Sequence, residues 1–509
     1  MAKLEEKVEK ELRPPVVAIL GHIDHGKSTL LDYIRKTKVA NSEIGGITQH
    51  INAYEVTHTA QDGRSRQMTF LDTPGHEAFG SIRTRCTNVA DIAALVVSAE
   101  DGVKPQTLEV FKNVKECALP YLVVITKIDK PAADVLRTKQ NLAENGIYVE
   151  GYGGNTPVVE LSAVTGAGVD EFLDMIGLMT ELESKTADRD SLGSGIIIES
   201  RRDAKRGVIG VGIIKNGTVR VGLFAAARAG QAASSGAVSP VRFLLDAEGK
   251  MVEALSFSSP VQIVGWDKLP AIGEEFRTFL KKEDALSYAE ESQKKTAVGK
   301  PAQQTAESLS VLPLVIKADT AGSLEAVTSE LGKLSRERIA PQIILSSVGS
   351  INENDVKSAL TAVGTVVIGF HTKADSQTAL LAERSGITIL TFDIIYELTD
   401  KVKAMLAEKE PRIEVEEIMG TAKVLKLFGM TKGKQVIGGR VLSGLLKRGA
   451  AIKIFRREAE IGIGKVRELQ QAKIATESAG EGTEFGALIE SKIEIAPGDV
   501  LNATAVVTK

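Results

Sequence analysis

The chain has 509 residues, 43% of them hydrophobic but only 4% aromatic, with a formal net charge of −3. That length predicts three or four domains with mainly aliphatic cores, and the charge excludes a globally basic nucleic-acid coat while leaving room for a local basic patch. Two cysteines, Cys86 and Cys117, make no disulfide framework and no four-ligand zinc site, and point to a reducing cytoplasm. Residues 1–13 form a charged tail without an apolar signal core, and no apolar run reaches membrane-spanning length, so a soluble cytoplasmic protein is expected.

From residue 14 to 185, strand-like runs over 16–20, 51–57, 67–71, 92–99, 121–126 and 157–161 alternate with helical spacing. This predicts a mainly parallel sheet covered on both faces, with Asp62-Gly63 turning the one hairpin. Ligands on such sheets sit at the carboxyl ends of the strands, and the chemistry-bearing residues fall there. The apolar run Val16-Val17-Ala18-Ile19-Leu20 leads into Gly21-His22-Ile23-Asp24-His25-Gly26-Lys27-Ser28-Thr29, and Leu30, Leu31 and Ile34 then mark a helix face. Two glycines let backbone N–H groups curl around a phosphate, Lys27 can reach the β- and γ-phosphates, and Ser28 can offer its hydroxyl to Mg²⁺. After the third strand, Asp72-Thr73-Pro74-Gly75 can hold Mg²⁺ through water and sense a γ-phosphate through the Gly75 N–H. After the fifth comes Thr126-Lys127-Ile128-Asp129. The Asp129 carboxylate can accept from guanine N1–H and N2–H, a donor pair that adenine lacks. The Lys127 stem would lie along the base, and Ser162-Ala163 would close over the guanine edge with a backbone N–H.

In that order these segments resemble the translational GTPases. Arg13-Pro14-Pro15, the run Glu43-Ile44-Gly45-Gly46-Ile47-Thr48-Gln49-His50-Ile51, and Gly75-His76-Glu77-Ala78-Phe79 narrow the resemblance to bacterial-type translation initiation factor two. The resemblance implies GTP/GDP and Mg²⁺ as ligands, with Ser28, Thr48 and Asp72 around the metal. It makes Thr48 the threonine of the first switch, seeing Mg²⁺ and γ-phosphate only with GTP bound, and His76, in the second switch, the residue that orients the attacking water. The family normally has Asn where this chain has Thr126. The resemblance also implies slow hydrolysis in isolation, ribosomal stimulation, initiator-tRNA binding and subunit joining. An elongation-type carrier of aminoacyl-tRNA and a non-catalytic GTP sensor are the alternatives. The inserted α/β unit argues against the first and His76 against the second.

Residues 186–283 carry short β-type runs over 195–199, 208–215, 217–221, 241–245 and 260–264, with Asn216-Gly217 as a hairpin signal, and predict a small closed barrel. Residues 284–308, rich in Lys, Gln, Glu, Ala and Ser, read as a flexible or partly helical linker. Residues 309–392 predict a small three-layer α/β/α sandwich in which Asp319-Thr320-Ala321-Gly322-Ser323 caps a helix. Over 393–410, Ile394, Leu398, Val402 and Leu406 predict a helix of about four turns, which the resemblance makes a rigid connecting arm. Residues 411–509 repeat the barrel. The segment 217–222 is echoed at 445–450, and 271–275 at 496–500. Here Lys+Arg is 16 and Asp+Glu 12, with Arg456, Arg457, Lys465 and Arg467 clustered, either as a solvated face or as a nucleic-acid contact. The resemblance assigns this barrel formylmethionyl initiator tRNA, although Phe485 stands where the family usually carries Cys. Expected partners are both ribosomal subunits and that tRNA, with no membrane, no DNA and a monomeric chain.

Overall fold

A computed structural model describes residues 10–36, 48–60, 63–229, 236–291, 310–335, 339–410, 414–431, 433–457, 459–472 and 474–508. The chain divides into two compact units, Met1–Lys409 and Glu410–Lys509.

The first part of the larger unit is a six-stranded sheet in the spatial order Asn52–Thr59, Ser65–Asp72, Val16–Gly21, Ile92–Ser98, Tyr121–Thr126, Val158–Glu160. The edge pair is antiparallel and every other pairing parallel. Val16–Gly21 and Ile92–Ser98 are buried throughout, because helices cover both faces. Val17, Ile19, Leu30, Phe70 and Phe172 fill one face; Ala18, Leu20, Leu95, Phe111 and Ile125 fill the other. Each predicted strand is found within two residues of its expected bounds. Of the predicted turn, Asp62 lies outside the described residues, and Gly63 turns with φ +78°.

One prediction for the next segment is corrected. Asn216-Gly217 is not a hairpin turn. Gly207–Asn216 lies between Ser194–Asp203 and Pro260–Val264, and Thr218–Arg220 instead pairs with Ala254–Ser256. The Asn216 amide is held elsewhere, accepting from Asp188 N–H at 2.9 Å and donating to Ser191 Oγ at 3.1 Å. Among the described residues the barrel's ladder is a curled path of eight strands, and the short Thr218–Arg220 ribbon adds Val219 to its core. The expected linker begins as a helix, Lys282–Glu291, whose Ala285, Tyr288 and Ala289 bury against Ala226 and Val238. The rest of the linker lies outside the described residues.

The sandwich has four parallel strands in the order Ile339–Val348, Ser310–Ala318, Val366–Phe370, Thr388–Phe392. Thr320 caps the helix Ala321–Gly332 through Ser323 N–H, as expected. The helix Ile395–Lys409 is no free arm. Its stripe of Leu398, Val402 and Leu406 is fully buried with Leu314, Ile316 and Phe370. A stripe repeating every three to four residues buries one helix face, and here the sandwich itself supplies the partner surface. The same core runs on to Ala78, Phe79 and Ile82, so the second switch and the sandwich share one packed interior. Asp91 ties the N-terminal strand to the barrel. Its carboxylate accepts from Val16 N–H at 2.9 Å, ion-pairs with Arg13, and meets Lys215 at 3.2 Å and Lys185 at 3.4 Å.

The smaller unit is a closed six-stranded barrel. Its ring runs Glu414–Thr431, Val500–Thr508, Ala451–Arg456, Ala459–Gln471, Glu484–Ser491, Lys434–Lys447 and back to Glu414–Thr431. Ile437, Ile452, Ile454, Val466, Phe485 and Leu501 fill it. The sequence echo is a shared kink. Gly217 and Gly444 both have left-handed φ, +74° and +70°. A Cβ at either would press into a backbone carbonyl, of Leu192 or Met419. Beyond each glycine the chain leaves the main ladder for a short strand, Ala254–Ser256 or Ser478–Gly480. Among the described residues no helix is long and apolar enough to cross a membrane.

Gly217→Ala and Gly444→Ala are therefore expected to lower stability by more than ~2 kcal/mol, through left-handed strain plus a backbone clash. Gly222→Ala and Gly449→Ala, also left-handed but with nothing within 4 Å, should lose only about 1 kcal/mol. Denaturant unfolding of the four variants checks the contrast.

Candidate nucleotide site

The loop after Val16–Gly21 is shaped by backbone freedom. A Cβ on Gly21 would strike the Val96 carbonyl, and Gly26, at φ +85°, opens the helix Lys27–Arg35. At the exposed tip Asp24 also takes a left-handed φ of +60°. Ile23 N–H donates to Gln106 Oε1 at 3.3 Å, and His25 Nδ1 accepts from Ser98 N–H at 3.3 Å. Burial lowers the His25 pKa to about 3, so this ring acts as a neutral acceptor. His22 sits edge-on to His25, ring centroids 5.0 Å apart. Thr29 is exposed on the first helical turn.

Lys27 is buried and reaches back over the loop, donating to Gly21 O at 3.0 Å and His22 O at 2.6 Å. Desolvation pulls its pKa down to about 8, against the attraction of Asp72. Gly75 packs directly on this ammonium: a Cβ there would lie 2.7 Å from Lys27 Nζ and 3.0 Å from Ile23 N. The three residues expected at the metal converge. Ser28 Oγ is 2.7 Å from Thr48 Oγ1 and 3.4 Å from Asp72 Oδ2. These hydroxyl and carboxylate oxygens are the hard donors that Mg²⁺ prefers, so the residues present fit that ion. Thr73 anchors the segment, donating to Ile19 O at 2.7 Å. Of the first-switch run, residues 43–47 lie outside the described residues.

Thr126 Oγ1 donates to His25 O at 2.6 Å and ties this segment to the loop after Val16–Gly21. Lys127, at φ +60°, aims its ammonium at Glu100, 3.7 Å away, and Asp101, 4.0 Å away. Asp129 is exposed and accepts from Ser162 Oγ at 2.6 Å, a bond that holds its carboxyl below the usual range. Ala163 follows on the same loop, half-buried. The base-facing segments thus meet at the carboxyl end of the sheet.

His76 lies at the start of the short turn Glu77–Phe79. Its Nδ1 accepts from Ala78 N–H at 2.9 Å, capping the short turn Glu77–Phe79, and its ring lies 4.0 Å from that of Tyr396. Burial lowers its pKa to about 4, and Nε2 is buried without a hydrogen-bond partner among the described residues. Sequence reasoning missed two residues, Arg83 in this region and Tyr33 beside the loop of residues 162–166. Arg83, fully buried, donates to the carbonyls of Pro74 and His76 and forks onto Glu109 at 2.8 and 2.9 Å. Tyr33 reaches from the Lys27–Arg35 helix to the Gly166 backbone. A buried Arg shortly after the second switch carries no local motif, so only packing reveals it.

In the smaller unit Phe485 is buried, across the ladder from Gly439, whose missing side chain makes room for the ring. Of the basic cluster, Arg456 forks onto Asp499 at 2.9 and 2.8 Å and Arg467 pairs with Glu490 at 2.5 Å. Arg457 and Lys465 are exposed.

Known proteins resemble the chain along its length. The family described as Elongation factor Tu GTP binding domain matches residues 13–181, Elongation factor G domain 2 matches 193–279, and Translation-initiation factor 2 matches 287–403. The chain is 40% identical over 505 residues to translation initiation factor IF-2 of a Nitratiruptor species, covering 97% of this chain and 58% of that protein. It is 38% identical over 498 residues to the IF-2 of Aquifex aeolicus, covering 96% and 60%. The chain thus spans between half and two thirds of the length of these curated relatives. Among solved structures, GDP-bound aIF5B from Aeropyrum pernix is 25% identical, with 98% and 92% of the two chains covered and a TM-score of 0.45.

The buried ammonium sets a pH dependence. Phosphate binding favours charged Lys27, so with the terminal phosphate ionised nucleotide affinity is expected to be flat from about pH 7 to about pH 8, the Lys27 pKa, and to fall by up to about tenfold per unit above it. Lys27→Ala should weaken binding at neutral pH and abolish the slope, read by fluorescent GDP titration.

Proposed function

We propose that the chain belongs with translation initiation factor IF-2, the relatives that it matches along its length, and that it is a GTP-hydrolysing switch of translation initiation. The observation that carries the reading is the convergence of Ser28, Thr48 and Asp72 beside buried Lys27, with Asp129 and Ser162 paired at the base end of the same sheet. On this reading the loop from Gly21 to Thr29 holds the phosphates, and Asp129 selects guanine. Thr48 and Gly75 sense the γ-phosphate. Mg²⁺, when bound by Ser28, Thr48 and Asp72, would offset charge on the β- and γ-phosphates. Phosphoryl transfer asks for positioning and charge more than for covalent help, so the rate depends on which groups reach the γ-phosphate.

His76 would orient the attacking water, and its contact with Tyr396 supports slow turnover in isolation. The ribosome, by engaging this face, would draw the imidazole off Tyr396. The barrel of 186–283 would dock on the small subunit. The barrel of 411–509 would carry formylmethionyl initiator tRNA on its outer face, since Phe485 fills the interior. Subunit joining, action as a monomer, and cytoplasmic residence complete the reading.

Full-length chain should hydrolyse GTP slowly alone and faster with ribosomes, and His76→Ala should remove the stimulation while sparing GTP binding. Fast turnover without ribosomes would contradict the assignment. Tyr396→Ala should raise ribosome-independent hydrolysis about three- to tenfold, a small part of the 10²–10⁴ that a positioned proton-handling group contributes. It should change nothing in a His76→Ala background. Binding of formylated against unformylated initiator tRNA to the full chain tests the role of the last barrel, and a preference for the formylated form is expected.

A further inference from the structure

Three side chains from three segments meet away from the phosphate loop. His50 follows Thr48 by two positions, Asp319 lies past the end of Ser310–Ala318, and His371 lies past the end of Val366–Phe370. Asp319 Oδ2 stands 3.3 Å from His50 Nε2 and 3.7 Å from His371 Nδ1, and one ligand atom from each residue fits within 4.8 Å of the others. The far side of His371 is fixed: Nε2 lies 2.8 Å from Asp393 O. An N–H donated there leaves the lone pair on Nδ1, which is buried without a hydrogen-bond partner among the described residues. An imidazole whose outer nitrogen donates to a carbonyl is the usual setting of a metal-ligating histidine. His371 also takes φ +52°, an uncommon conformation for a residue with a bulky ring.

We propose that His50, Asp319 and His371 form a binding site for one divalent transition-metal ion of the zinc type, with two imidazole nitrogens and one carboxylate as ligands and a fourth position left to water. Zinc holds nitrogen and oxygen ligands about 2.0–2.2 Å away in a tetrahedron, which sets ligand atoms ~3.4 Å apart, close to both Asp319 separations. Two imidazoles select against Mg²⁺ and Ca²⁺, which take oxygen. His50 and Asp319 line a cavity of about 450 Å³ together with Glu199, Arg201 and Arg202. The two guanidinium groups oppose the cation and favour an anionic fourth ligand, so the site is weaker than a four-ligand structural zinc. Its consequence is mechanical. A bound ion would staple the chain just after Thr48 to the sandwich, and by linkage anything that orders the first switch would tighten the metal.

The test is metal uptake by full-length, chelator-stripped protein. Zn²⁺ is titrated in competition with a chromogenic chelator, and Co²⁺ serves as a visible-absorbing probe. The expected result is one Zn²⁺ per chain with a tetrahedral-type Co²⁺ spectrum lacking thiolate charge transfer. Affinity should fall more than about tenfold in His371→Asn and in Asp319→Asn and stay unchanged in Cys117→Ser. Asn suits the left-handed backbone at 371, and unchanged circular dichroism would show that the variants fold. Equal uptake by wild type and both triad variants, or no uptake by wild type, overturns the proposal and leaves the three residues as an ion-pair junction between switch and sandwich.

Discussion

A buried ammonium organises the site. Lys27 has left water, and its charge rests on the Gly21 and His22 carbonyls and on Asp72. Burying a lone charge is costly, so the surroundings must supply negative charge, and the pKa of about 8 measures how incompletely they do. The loop and the second switch at Gly75 crowd this one cation because the parallel pairing of Val16–Gly21 with Ser65–Asp72 delivers both to a common edge.

What happens at that edge is tied to the rest of the larger unit through packing. Arg83 grips the Pro74 and His76 carbonyls and is itself forked onto Glu109. Phe79 and Ile82 lie in the same core as Leu314, Phe370 and Leu398 of the sandwich and its helix. Close-packed cores shift between discrete arrangements rather than deforming smoothly, so a displacement of Gly75 by a phosphate has a direct route to the sandwich. Tyr396, on the helix that covers the sandwich, touches His76 and puts that residue on the same route.

The strand–loop–helix order was legible because it is local: the glycines, lysine and carboxylates of interest each stand just after an apolar run. Thr48 came from the family resemblance alone, and the bond from Thr126 to His25 O was not read from the sequence. Features set by distant partners were not legible. Asn216-Gly217 has the composition of a hairpin, but Asn216 is captured by Asp188 and Ser191, and the following strand finds a different neighbour. The stripe on Ile395–Lys409 announced a helix without saying that the sandwich would bury it. Arg456 and Arg467 counted toward a basic patch, yet each is paired within the barrel. The orientation of His76 depends on Tyr396, 320 positions further along the chain, and no motif carries that.

The central claim is that γ-phosphate, and not nucleotide in general, orders the segments at Thr48 and Gly75. Hydrogen–deuterium exchange of the full chain with Mg²⁺, comparing GDP with a non-hydrolysable GTP analogue, tests it most directly. The account predicts equal protection of the phosphate-loop amides from Ile23 to Ser28 in both states, with added protection around Thr48 and Gly75 only in the GTP-analogue state. Identical exchange at Thr48 and Gly75 with either nucleotide, both bound, would contradict it.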